Sequence, residues 1–122
     1  MKLLALAFFS VTAIFAADDL VTGTWNIDGD VQGNPVKEVC SLTLADAKVT
    51  GSCKGDQGAF DVTGELTGMK LVFRHGGEYQ GDKLTLTYSG TIDDMGVLKG
   101  TLDVQPMDVS GDFTAKRDQP AK

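Results

Sequence analysis

Leu84-Thr85-Leu86-Thr87-Tyr88-Ser89-Gly90-Thr91-Ile92 is the stretch on which the fold turns. Its even positions are large and apolar or aromatic except for Gly90, and its odd positions are all Thr or Ser. A period of two marks a strand with one buried and one solvated face. Gly90 stands on the buried parity, where a residue without a Cβ signals a sharp bend or a close approach of backbones. The phrase that ends this stretch, apolar–polar–Gly–polar–apolar, recurs along the chain. It returns as Val21-Thr22-Gly23-Thr24-Trp25, Val49-Thr50-Gly51-Ser52-Cys53, Val62-Thr63-Gly64-Glu65-Leu66, Leu98-Lys99-Gly100-Thr101-Leu102 and Val109-Ser110-Gly111-Asp112-Phe113. In every copy the glycine shares the parity of the inward residues, as expected of a small sheet that curls until it closes.

Working outward, alternating runs separated by Gly, Asp and Asn bends predict eight strands, near 20–28, 35–44, 48–54, 59–66, 69–75, 83–92, 97–104 and 109–117. Inward positions pair consistently across the turns: 44 with 49, 53 with 60, 66 with 69, 92 with 98, and 104 with 109. Sequential antiparallel strands with short connections make a meander, and a meander leaves two open edges unless its first strand meets its last. The fold class is therefore all-β, an eight-stranded antiparallel meander closed into an up-and-down barrel. A two-sheet sandwich is the competing architecture.

Composition agrees with one domain and narrows its partners. The chain has 122 residues, 42% hydrophobic and 23% charged, with 15 glycines and a net charge of −6. That balance argues against nucleic acid or an anionic membrane as a partner, since both reward Lys/Arg clusters. Met1-Lys2, the apolar run Leu3 to Phe15, Ala16-Ala17 and the acids Asp18-Asp19 match a secretory signal cleaved after Ala16. The apolar run is short for a spanning helix of about 20 residues. A signal peptide over 1–16, a single barrel domain over 17–122, a secreted or periplasmic location and no stable membrane anchor after cleavage are the expectations. Export makes a disulfide the default for two cysteines. A symmetric hairpin about Ala45-Asp46-Ala47-Lys48 sets Cys40 opposite Cys53 on one face, within bonding range. Twelve intervening residues and no neighbouring His argue against a redox or metal pair.

Gly23-Thr24-Trp25 on the first strand resembles the Gly-x-Trp opening of the calycins, the lipocalins, fatty-acid-binding proteins and avidins. In lipocalins an Arg near the end of the last strand packs over that Trp and closes the barrel floor. The resemblance implies the same structural role for Trp25 and Arg117. A single Trp does not support the biotin pocket of avidins, which uses several.

Strand direction gives one barrel end the turns near 45–48, 67–68 and 93–97. The other end receives 28–34, 54–58, 75–82 and 105–108, longer on average and so the expected mouth. Ile27, Glu38, Phe60, Phe73 and His75 are inward positions near it, Tyr88 lines the interior, and Tyr79 lies in the longest loop. Each has a plain structural reading too: His75 as a residue at a loop base, Glu38 as a strand end in water. The rim, with Asp28, Asp30, Asp56, Glu78, Asp82 and Asp108 against Lys37, Lys54 and Lys83, is acidic and disfavours anionic ligands. No catalytic constellation, metal-ligand spacing or cofactor motif stands out, so neither an enzyme nor a cofactor is expected. Three functions fit: a barrel binding a small apolar, neutral or cationic molecule; a module binding an extracytoplasmic protein; or a structural envelope domain. The second resembles some bacterial inhibitors of proteases and lysozyme, which share the outline of signal, small barrel and one disulfide.

Overall fold

Inward-facing apolar residues on alternate positions demand a shared interior, and eight strands close to provide it. The computed structural model describes residues 19–56 and 58–118; the expected signal segment 1–16 lies outside the described residues. In chain order the strands are β1 (Gly23–Val31), β2 (Asn34–Ala45), β3 (Lys48–Gly55), β4 (Gly58–Thr67), β5 (Lys70–Tyr79), β6 (Asp82–Ile92), β7 (Leu98–Gln105) and β8 (Val109–Arg117). Each pairs antiparallel with the next, and β8 pairs with β1, so the sheet is a closed up-and-down barrel. The strands do not divide into the two sheets of a sandwich.

The interior is one cluster running from Val21 and Trp25 to Phe113 and Ala115. The outward positions of β1, Asn26, Asp28 and Asp30, are exposed. An apolar inside and a polar outside invert the pattern of a membrane-spanning barrel. The inward glycines show why the cylinder can be this narrow. A Cβ on Gly111 would overlap the backbone carbonyl of Asp30 on β1, and one on Gly100 would overlap that of Ser89 on β6. At these points neighbouring strands coil too closely for any side chain.

Most expected registers are observed. Leu44 faces Val49, Cys53 faces Phe60, Ile92 faces Leu98, and Val104 faces Val109. The β4–β5 hairpin differs: Leu66 pairs with Leu71, not with Met69. Gly68, at φ 63°, is the first central residue of a two-residue turn, and Met69 is the second and lies exposed. Such turns accept glycine there because their twist matches the strands. The slip is of two residues, so every side chain keeps its face.

The loop lengths also depart from expectation. The segments 28–34 and 75–82 are not loops but continuations of strands. β1 runs on to Val31 and turns through Gln32 and Gly33, with φ 53° and 87°. β5 runs on to Tyr79 and turns through Gln80 and Gly81, with φ 52° and 88°. Positive φ at both central residues is the two-residue hairpin geometry that matches strand twist. The longest connection among the described residues, 93–97, lies at the opposite end, braced by Asp93. Its carboxylate accepts from the backbone N–H of Met95 at 2.9 Å and of Val97 at 3.0 Å, and these bonds hold its pKa below the usual value. The mouth end is thus framed by projecting hairpins.

Candidate functional site

The two ends of the cylinder are finished differently. At the floor, Trp25 is buried and donates from Nε1 to the Val21 carbonyl at 2.7 Å. Arg117, its partner across β1 and β8, sets its guanidinium 5.7 Å from the ring centroid and donates to the Asp19 and Thr22 carbonyls, each at 3.1 Å. The arrangement is a cation stacked on an aromatic plug.

At the mouth end the inner positions climb in steps. On β2, Cys40 is followed toward the mouth by Glu38 and Val36; on β5, Phe73 is followed by His75 and Gly77; on β6, Tyr88 is followed by Leu86 and Leu84. Phe73 and Tyr88 face each other across β5 and β6 and stack at 4.8 Å between centroids, with Phe113 edge-on to Tyr88 at 4.9 Å. Cys40 and Cys53 form the expected disulfide, buried, with Cα atoms 4.0 Å apart. These residues fill the lumen.

One step higher a polar layer crosses it. Tyr88 donates its hydroxyl to Glu38 Oε2 on the far wall. His75 Nε2 lies 2.9 Å from Glu38 Oε1 and 3.0 Å from Oε2, while its Nδ1 faces the Gly76 carbonyl. The His75 and Glu38 side chains are only 3% and 9% exposed. Both imidazole nitrogens face acceptors, so the protonated ring, an imidazolium, can donate to both at once. Burial by itself lowers the His75 pKa. The hydrogen bond and charge of Glu38, helped by the Gly76 carbonyl, outweigh it and hold the pKa above the ordinary 6.5. Tyr88 is pushed up by burial and by the adjacent carboxylate, and stays protonated. An opposed charge and several hydrogen bonds are what make a buried carboxylate tolerable.

Above this layer the lumen opens into a cavity of about 340 Å³. Val31, Phe60, Leu84, Leu86, Val104 and Val109 form most of its wall, Glu38 and His75 its base, and Tyr79 and Met107 its rim. The volume is at the small end of ligand pockets, which run from about 300 to 1,000 Å³. Sheet packing excludes metal from this spot by chemistry: Glu38, Cys40 and Cys53 offer atoms within 4.8 Å of one another, but both sulfurs are spent in the disulfide.

The candidate residues from the sequence therefore separate. Glu38, Phe60, His75 and Tyr79 line the cavity. Phe73 and Tyr88 pack beneath its base, fully buried. Ile27, opposite Glu38 on β1, is also buried below it. Tyr79 is the last residue of β5, half-exposed and paired with Asp82, and does not sit in a loop. His75 is likewise mid-strand, not at a loop base, and Glu38 is enclosed within β2, not a strand end in water. Val31, Leu84, Leu86, Val104 and Val109 line the cavity as well, beyond the residues expected from the sequence. Parity turns the last four inward, one or two steps mouthward of Tyr88 in the register; Val31 lies within 28–34, expected as a loop. Compared with models of known protein families and with curated proteins, the chain matches none. The closed eight-stranded antiparallel barrel is consistent with a calycin-like architecture, and the buried disulfide fits an oxidising, extracytoplasmic environment.

Proposed function

We propose that this chain is an exported, calycin-like binding barrel that holds a small, largely apolar, neutral or cationic molecule in its mouth. The observation that carries the reading is a cavity with an apolar wall set on a buried polar base. Few convergent polar groups within an apolar enclosure are the usual composition of a small-molecule site. A small barrel with no such purpose is commonly filled by its own side chains, as this one is from Phe73 downward. The exposed acids Asp56 and Glu78 at the rim disfavour anionic ligands.

The neutral fluorophore N-phenylnaphthylamine tests the reading. Its emission should rise and saturate at one equivalent with the purified protein. Leu86→Trp, which fills the cavity from β6, should abolish that rise while leaving the circular dichroism unchanged. Unaltered emission with the folded wild-type protein would defeat the proposal.

A further inference from the structure

Within that binding reading, the polar base states what kind of polar group the ligand carries. Among the described residues, each side-chain donor at the base is already used. His75 Nδ1–H is given to the Gly76 carbonyl, Nε2–H to Glu38, and the Tyr88 hydroxyl to Glu38. An anion arriving there finds no N–H or O–H and meets a carboxylate. Glu38 has room for about four hydrogen bonds, and among the described residues it receives donors from β5 and β6 alone. Acceptor capacity is left over on a residue that lines the cavity.

Charge decides between the two kinds of donor that could use this capacity. Glu38 and the His75 imidazolium cancel, so the base is dipolar but neutral. The wall around it, Val31, Phe60, Leu86 and Val104, cannot solvate an ammonium. Lys37, at the rim, points its ammonium to Asp28 at 3.2 Å, on the outer face. A buried ligand cation would lose its hydration without a net opposite charge in return, which is costly. A hydroxyl or amide N–H loses far less and still gains a bond to a charged acceptor. We propose that the cavity selects an apolar molecule bearing one neutral hydrogen-bond donor, an alcohol, phenol or amide, whose hydrogen is received by Glu38.

The test uses four naphthalenes substituted at the same ring position: naphthylmethanol, ethylnaphthalene, naphthylmethylammonium and naphthoate. Each is titrated into the intact protein below the His75 pKa and followed by amide chemical shifts around Gly76 and Leu86. Naphthylmethanol should bind about tenfold or more tighter than ethylnaphthalene, as expected for one hydrogen bond to a charged group, and tighter than either charged compound. Equal affinity for the alcohol and the ethyl compound overturns this inference but leaves the binding cavity standing. Failure of all four to bind overturns both. His75→Gln gives an independent reading, because it keeps an N–H toward Glu38 and removes the balancing charge. In that variant naphthylmethylammonium should gain at least about tenfold on naphthylmethanol, and an unchanged ratio overturns the inference. Should the variant not fold, raising the pH of the wild-type protein through the His75 pKa makes the same change. Glu38 from β2 and Tyr88 from β6 face that ring, Tyr88 remains protonated, and the rim charges Lys37, Asp56 and Glu78 are exposed. The alcohol-to-ammonium preference should fall with pH, and a flat ratio counts against the proposal.

Discussion

The floor and the mouth of this barrel are built from the same strands, yet one is solid and the other hollow. At the floor, Trp25, Val21, Leu98 and Ala115 are buried to within about 1%, and Arg117 closes the end over the Trp25 ring. At the mouth the strands continue past the last filled layer, and the side chains they turn inward, Val31, Leu84, Leu86 and Val109, are too short to meet across the lumen. The difference teaches that a cavity here is a matter of strand length as well as side-chain size. The β1–β2 and β5–β6 hairpins run on beyond the layer where Tyr88 reaches Glu38, and the described side chains around the extra height leave it open.

The sharpest way to break this contrast is to empty both ends equally. Trp25→Ala removes a buried indole and its hydrogen bond to Val21, and should cost roughly 3–5 kcal/mol. Phe60→Ala, from a half-buried ring on the cavity wall, should cost well under half of that. Urea unfolding of the two variants decides the matter; similar losses would mean that the mouth is as tightly packed as the floor.

Removing the disulfide comes next in size. Cys40→Ala with Cys53→Ala should cost about 3 kcal/mol, since the bond closes a short loop. A Glu38 oxygen lies within 4.8 Å of both sulfurs, so the damage should concentrate at the polar layer. Amide exchange should quicken first in β2 and β3 near Glu38, while the Trp25 emission maximum holds. A red-shifted Trp25 would show that floor and mouth unfold as one unit.

Much of this plan was legible in the residues. Alternation set the faces, and the inward glycines announced closure, because only a narrow cylinder brings Gly100 and Gly111 against neighbouring carbonyls. The hairpin ends were harder. Gln32 and Gln80 adopt positive φ, a conformation usually flagged by Asn or Asp, so Gln-Gly did not read as a tight turn. The Leu66–Leu71 register was invisible to parity, which a slip of two residues leaves unchanged. The polar layer was least accessible of all. His75 and Tyr88 lie on the neighbouring strands β5 and β6 but Glu38 lies across the lumen on β2, and hairpin pairing carries no information about contacts between those two walls.

A smaller effect follows from the charge state of that layer. A group whose pKa is raised on folding stabilises fully below its unfolded value and loses that contribution as pH rises through its folded value. His75 is such a group. Its contribution should be complete in mildly acidic solution and decline above 6.5, the ordinary value. Urea midpoints of wild-type protein and His75→Gln should therefore converge as pH is raised. A gap that stays constant through this window would contradict the doubly donating imidazolium.

The smallest effect is expected one residue away, on the other face of the same strand. Lys37 and Asp28 form an ion pair at 3.2 Å, with both side chains 70% exposed. It joins β1 to β2 just as Glu38 and His75 join β2 to β5, and the charges are of the same kind. Water screens the first pair and is excluded from the second. Lys37→Ala should therefore change stability by no more than about 1 kcal/mol, and the change should vanish in high salt. Tyr88→Phe, which takes one donor from the buried carboxylate, should cost about 1.5–3 kcal/mol and be insensitive to salt. If the exposed pair proved as costly to remove as the buried bond, the mouth hairpin would be held from outside. The polar layer would then be a lining laid over a frame that stands without it.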